Sequence, residues 1–310
     1  MMRSMGRMGV MGVMKVLAGV VLLAPPAWAG DDPVRVVSAT TTLGYFAEQI
    51  GGALVEVESI AAGNRDLHYV EALPSHMLKL RKAQLYLTVG MELDMWSKQL
   101  IQGSRNGKLR VVDCSAGVAA MEVPTFKADA RYGDLHPYGN PHYWLDPANV
   151  PAICRNIAGA LSAADPDHAA DYNRGLESYL AKLGTKVAEW ETLKPKLADV
   201  RFVAYHNTWP YLCRFFGCRM AGFVEEFPGV APSPSHLARL IEQIKGESIP
   251  LVVYEPFHDK RVPNMLAERT GCRVEMIPES IGGAPGTDTY EGLIDFVIAR
   301  LTGTGGGTTP

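Results

Sequence analysis

Short apolar runs alternate with longer stretches of helical period from about residue 34 almost to the end of the chain. VRVVSATTT reads as a first strand, GYFAEQIGG as a short helix and LVEVESIA as a second strand. A helix over Ser75 to Lys82, the strand QLYLTVG, the helix MELDMWSKQLIQ and the strand LRVVD follow. Beyond Pro195 the rhythm resumes with RFVAY, a helix over TWPYLCRFF, the strand MAGFV and a helix capped near Ser233 to Ser235. LVVYE, a helix from Lys260 to Thr270, RVEMI and a last helix from Thr289 complete it. Repeated strand and helix units of this kind predict an α/β protein built on parallel sheets.

Two segments between these halves break the rhythm. Ser115 to about Pro141 is polar, rich in Pro, Gly and Tyr, and longer than most structureless loops, which points to function or mobility. It leads into NPHYWLDP, where Asp146 can cap a helix and Pro147 fits its first position, with VPAICRNIAGALSAA as the body. Asp165-Pro166 repeats that start for a longer helix. Its stripe of Tyr172, Leu176, Leu180, Leu183, Val187, Trp190 and Leu193 recurs at spacings of three and four. A helix of about 28 residues would span roughly 40 Å, enough to run along two lobes.

Composition narrows the classes. The chain has 310 residues, of which 47% are hydrophobic, enough for one large core or two modest ones. Arg3, Arg7 and Lys15 precede the apolar run VLAGVVLLAPPAWA, which ends in Ala27-Trp28-Ala29, so residues 1–29 read as a signal peptide cleaved before Gly30. That run is shorter than the roughly 20 residues of a membrane span. Cleavage leaves 27 basic and 33 acidic residues, a net of −6 that disfavours nucleic-acid binding. Cys114, Cys154, Cys213, Cys218 and Cys272 all lie in the mature chain. Disulfides are permitted there, at least one thiol is left over, and the pairing cannot be read from the sequence. No C-x-x-C pair occurs, which argues against a thiolate zinc site.

The candidate chemistry lies in three histidines. His142 sits in NPHYWLDP before a helix start, His68 in the loop AAGNRDLHYVEALPS, and His206 at the end of RFVAYH. Three loops of an alternating β/α chain thus each offer an imidazole, and ligands of open α/β sheets gather beyond the carboxyl ends of the strands. Three neutral imidazoles and one carboxylate would close a tetrahedral shell around zinc, an arrangement suited to holding a metal. Glu225 and Glu226 end the MAGFV strand, and alternation turns one of them to the cleft and the other away. Glu279, in PESIGG after RVEMI, has the same topological standing. His136, in the long loop, could assist capture; His76, His168, His236 and His258 read as surface or helical residues.

HYVEALPS, NPHYWLDP, AYHNTWPYL and the closing TYEGLIDFVIARL together resemble the periplasmic zinc and manganese substrate-binding proteins of ABC importers, the cluster A-I or zinc-uptake/adhesin-like family. The resemblance implies two parallel-sheet α/β lobes joined by one long helix, with the metal in the cleft between them. Residues 30–164 would form the first lobe, 165–197 the linking helix and 198–302 the second lobe, followed by a disordered glycine-rich tail at 303–310. It implies metal ligation by His68, His142 and His206. In much of the family an acidic residue at the Glu279 position closes the site, and in one zinc-binding branch it comes from the earlier loop. VEEFPGVAPSPSHL looks more like that branch, which favours Glu226 over Glu225 and Glu279.

Manganese carriers of the family usually replace the third histidine by a carboxylate, so His206 favours zinc as the transported ion. Leu67 and Ala72 stand where the family commonly has prolines. The implied protein is a periplasmic monomer that makes and breaks no bonds. It hands its ion to an inner-membrane ABC permease, with a periplasmic zinc chaperone as a further possible partner and a manganese or iron carrier as the alternative within the class. A rival reading is a secreted zinc hydrolase using the H-x-x-E spacing of His68 and Glu71, but it leaves NPHYWLDP unexplained. A third is an adhesin or signalling protein that uses metal only for stability.

Overall fold

The computed structural model describes residues 32–125, 136–227 and 229–304; the leader at 1–29 and residues 305–310 of the tail lie outside them. The first sheet is built from β1 (Val34–Thr40), α1 (Thr41–Gly51), β2 (Val55–Ala61), α2 (Pro74–Lys82), β3 (Leu85–Thr88), α3 (Ser97–Ser104) and β4 (Arg110–Asp113). Three helices then follow without a strand: α4 (Val150–Ala164), α5 (Ala169–Glu191) and α6 (Lys194–Leu197). The second sheet is built from β5 (Arg201–Ala204), α7 (Pro210–Phe216), β6 (Arg219–Phe223), α8 (Pro234–Gly246), β7 (Leu251–Tyr254), α9 (Arg261–Thr270) and β8 (Arg273–Met276), and α10 (Tyr290–Thr302) closes the chain.

Both sheets are parallel and share one topology, β2-β1-β3-β4 and β6-β5-β7-β8. The molecule is two α/β lobes, each with a central strand (β1, β5) that starts the lobe. The central strands read as nearly unbroken apolar runs because helices cover both faces: along β1 only Arg35 is exposed.

Most element boundaries follow local chemistry. The Thr40 hydroxyl accepts from Leu43 N–H, which starts α1 earlier than its apolar period suggests. Ser233 and Thr289 cap α8 and α10 in the same way.

Three expected helices begin late or end early. The Asp94 carboxylate gathers Thr88 Oγ1 (2.6 Å), Val89 N (3.2 Å) and Gly90 N (3.3 Å). Gly90, Met91 and Glu92 turn left-handed at φ 81°, 52° and 64°. This tight turn defers α3 to Ser97. Asp146 does not cap α4, which starts at Val150 behind a 3₁₀ turn over Tyr143–Leu145. Its buried carboxylate accepts instead from Ala148 N (2.8 Å) and Arg214 Nε (2.8 Å). Asp165-Pro166 opens a 3₁₀ turn at Pro166–His168 before α5, and the Asp165 carboxylate accepts from Tyr172 Oη at 2.8 Å. The long helix is 23 residues, about 34 Å at 1.5 Å per residue, and a break separates it from α6.

The larger core is continuous through both lobes. It joins Val36, Phe46, Leu85 and Trp144 to Trp190, Phe202, Val253 and Val297. A smaller one, with Val203, Leu240, Val252 and Leu266, lies between the second sheet and α8 and α9. Although α10 ends the chain, it returns to the first lobe: the Tyr290 ring lies 5.3 Å from Phe46, and Tyr45 Oη donates to Glu291 (2.9 Å). Polar ties add to this apolar contact. Thr41 Oγ1 donates to Ile281 O (2.6 Å), Ile281 N to Thr42 Oγ1 (3.2 Å), and Trp144 Nε1 to Glu279 O (2.7 Å).

Gly63 is buried where the loop after β2 meets the loop after β8, and a Cβ there would stand 2.0 Å from Ile281 O. Backbone cannot yield as a side-chain tip does, so Gly63→Ala is expected to destabilise the protein by about 1–3 kcal/mol. A melting temperature equal to that of the wild type would count against this close approach.

Candidate metal centre

Each of the three histidines lies beyond the carboxyl end of a strand, His68 after β2, His142 after β4 and His206 after β5. The fold brings them together from the loops of both sheets. One ring nitrogen from each lies within 4.8 Å of the others, and the ring centroids are 5.0 Å (His68 to His206), 5.5 Å (His68 to His142) and 5.5 Å (His142 to His206) apart. Tetrahedral ligands on zinc stand roughly 3.3 Å apart for bonds of 2.0–2.1 Å, so a modest contraction suffices.

Every ring is held through its other nitrogen. Asp66 Oδ1 accepts from both His68 N (2.9 Å) and His68 Nδ1 (3.0 Å). Asn140 Oδ1 does the same for His142, at 3.0 Å to each nitrogen. A backbone N–H can only donate, so each of these oxygens is an acceptor and the ring Nδ1 must carry the proton. His206 Nδ1 lies 2.9 Å from Glu225 Oε2, which also accepts from Gly229 N (3.0 Å). With Nδ1 committed, the lone pair of each neutral ring is on Nε2, the tautomer that metal-binding histidines use when an outer carboxylate or amide orients them. His68 Nε2 and His142 Nε2 are buried and have no hydrogen-bond partner.

Glu226, favoured from the sequence as the fourth ligand, is not brought to this cluster. Its carboxylate is 40% exposed, pairs with Arg239 Nη2 at 2.9 Å and lies 4.0 Å from His236 Nδ1. The alternation of side chains holds with the opposite parity, turning Glu225 inward, where it orients His206. The carboxyl group at the cluster is Glu279: it is buried, its Oε2 is 3.4 Å from His142 Nε2, and its Oε1 has no partner. His136 also joins, its ring 5.3 Å from that of His68 and its Nε2 buried without a partner. Elsewhere, His168 Nδ1 meets Asp165 Oδ2 (2.8 Å), His236 Nε2 meets Phe223 O (3.0 Å) and His258 stacks on Tyr205 at 3.9 Å. Glu71, of the H-x-x-E pair, is exposed and is not among the residues grouped with His68.

The electrostatics suit an arriving cation. Burial, reinforced by the neighbouring His206, His68 and His136, holds His142 well below the usual histidine range. Burial and His68 and His206 bring His136 down to about 3. Burial also acts to lower His206, but hydrogen bonding and charge from Glu225 outweigh it and raise this ring. Burial pushes Glu279 well above the usual carboxylate range, with Glu255 and Asp66 adding to the effect. Glu255, wholly buried at the end of β7 and 3.5 Å from His258 Nε2, is raised to about 7 by the same burial. Burial thus disfavours the ionised form of both carboxyl groups, and a nearby cation would favour it.

Asp66 and Asn140 were not singled out in the sequence, yet both stand two residues before a histidine, as D-L-H and N-P-H. At that spacing an Asx oxygen reaches the histidine backbone and ring together. The His142 loop is also tied to the second lobe: Asn140 Nδ2 donates to Asn207 O (2.8 Å), and Tyr211 Oη to Asn140 O (3.0 Å).

The model of the family described as zinc-uptake complex component A, periplasmic, matches residues 36–303. The chain belongs to this family. It is 26% identical over 294 residues to the iron-binding protein YfeA of Yersinia pestis, covering 90% of this chain and 91% of that one. It is 22% identical over 275 residues to the high-affinity zinc uptake system protein ZnuA of Bacillus subtilis, covering 87% and 86%. A crystal structure of ZnuA superimposes with a TM-score of 0.76 at 24% identity, over 88% of this chain and 99% of that one. A manganese-bound periplasmic metal-binding protein from Candidatus Liberibacter asiaticus gives 0.72 at 21% identity, over 87% and 99%. These relatives are metal-binding substrate-binding proteins and not enzymes.

Removing an oxygen that orients a ligating ring typically costs 10–100-fold in metal affinity. Asp66→Ala and Asn140→Ala are each expected to weaken metal binding by about that factor with the fold intact. Chelator competition and circular dichroism test this, and unchanged affinity in both variants would deny the oxygens an orienting role.

Proposed function

We propose that the protein captures zinc in the periplasm and passes it to an inner-membrane ABC importer permease. One observation carries the reading: imidazoles from both lobes turn toward a common point beside a buried, partnerless carboxyl oxygen. Nε2 of His68, His142 and His206 and the Glu279 carboxylate form the proposed ligand set, in place of a set completed by Glu226. Three neutral donors and one carboxylate leave a bound divalent ion with a formal charge of +1, and the nitrogen-rich set suits zinc better than manganese. Residues 1–29 serve as the export signal, which agrees with the periplasmic family. Among the described residues no helix is long and apolar enough to cross a membrane. An iron or manganese carrier is the second reading, favoured by the likeness to the iron-binding YfeA protein.

Release follows from the same geometry. The lobes share a core and several hydrogen bonds, so movement of the His68 and His142 loops costs less than a wide hinge. His136, beside His68 at the edge of the long loop, is placed to meet the ion on its way in or out.

Glu279→Gln is expected to lower zinc affinity by at least about tenfold, through loss of the charged oxygen that would touch the ion, and Glu226→Gln to leave it within about twofold, measured by competition with a chromogenic chelator. The reverse ranking would return the fourth ligand to the β6 loop. Equal loading with iron or manganese in a metal-content assay of protein offered all three ions would favour the second reading.

Protons and zinc compete for the same atoms. His206 is raised from 6.5, chiefly by Glu225 against the effect of burial, and burial raises Glu279 well above 4.5, so both hold a proton more tightly against an arriving ion than the free groups would. Zinc affinity is therefore expected to fall as pH drops from 8 to 5.5, with proton release on binding near pH 7. Calorimetry in buffers of different ionisation enthalpy reads that release, and its absence would show that the ligands are already deprotonated.

A further inference from the structure

Cys213, in α7, and Cys218, just before β6, bring their sulfurs to 2.9 Å. Among the described cysteines no disulfide is present. Gly217 explains the meeting. It takes φ 81° just after α7, and its N–H returns to Cys213 O at 2.8 Å. In a left-handed helix stop of this kind the residue after the glycine folds back onto the last turn, and the two side chains there usually make an apolar contact. Here both are cysteines. Their separation is shorter than the spacing of two sulfurs that merely touch, and the loop between them is already closed by the backbone.

We infer that Cys213 and Cys218 form a disulfide that staples α7 to the start of β6. Two thiols lose their hydrogens and one S–S bond forms, while a disulfide oxidant accepts the electron pair and leaves as two thiols. The supply of that oxidant in the cell rests on the proposed export. Cys213 is the reachable sulfur, being only partly buried where Cys218 is buried. Cys114 and Cys154 are wholly buried and Cys272 nearly so, and the Cys114 thiol meets Val112 O at 3.9 Å, so these three are placed as thiols and not as partners of Cys213.

The staple acts on the element that ties the lobes together at the site. α7 has only seven residues, too few to be stable on its own. It nevertheless carries Tyr211, bonded to Asn140 O and Met121 N, and Arg214, bonded to Asp146 Oδ2 and Asn149 Oδ1. Asn140 orients His142, so a frayed α7 would loosen one metal ligand from behind.

The test uses the full exported chain, thiol-blocked without reduction and digested with trypsin. Cleavage after Arg214 falls between the two cysteines. The expected product is therefore residues 202–214 covalently joined to residues 215–219, separable only by reductant. The same species should form when reduced, purified protein is equilibrated with oxidised glutathione, an arm that needs neither export nor metal. Recovery of both cysteines in blocked form from that mixture, or linkage to Cys114, Cys154 or Cys272, would overturn the pairing. For the role, Cys213→Ser/Cys218→Ser should melt lower than the oxidised wild type and release zinc to a chelator severalfold faster, while Cys272→Ser changes neither. Melting and release that match the wild type would reject the staple as a support for α7, whatever the mapping shows.

Discussion

Three imidazoles cannot be brought to one buried point unless the backbone segments that carry them are held still, and that requirement organises the molecule. His68 and His142 come from loops of the first sheet and His206 from the second. Two lobes that moved freely would scatter them. The shared apolar core from Phe46 through Trp190 to Val297 prevents this, and the hydrogen bonds of Thr41, Thr42 and Trp144 to the loop after β8 fix the remaining freedom.

Orientation is solved separately from position, and by one device used twice. Asp66 and Asn140 each grip the backbone and the ring of the histidine two residues on, so the loop turn and the tautomer are set by the same oxygen. Glu225 performs the ring half of that task for His206 from another strand. The burial that protects these hydrogen bonds from water also disfavours the charged forms of His142 and Glu279. The frame around the cluster is thus already built from this chain's own hydrogen bonds.

The repeated unit of strand, helix and strand accounts for where the candidate ligands fall. Both sheets have the same order, and all the residues at the site follow the carboxyl ends of strands. α10 and α5 then cover the seam, with Trp190 Nε1 donating to Asp295 (2.7 Å) and Lys186 pairing with the same carboxylate (2.9 Å). The apolar stripe read along Tyr172 to Leu193 is the face that does this.

The alternation of strands and helices, the three histidine loops, the cap near Ser233, the start of the last helix at Thr289 and the stripe of α5 could all be read from the chain, because each depends on residues a few positions apart. The choice among Glu225, Glu226 and Glu279 could not. A strand's period of two says that adjacent residues face opposite ways, but which one faces the cleft depends on the sheet's placement against the other lobe, and Glu279 reaches His142 from more than a hundred residues away. The same holds for Asp146, whose local setting suits a helix cap and whose carboxylate is claimed by Arg214, and for the partner of Cys213 among five cysteines. Local pattern settled the elements and the kind of chemistry. Contacts between distant segments, which depend on how two lobes pack, decided which donors meet.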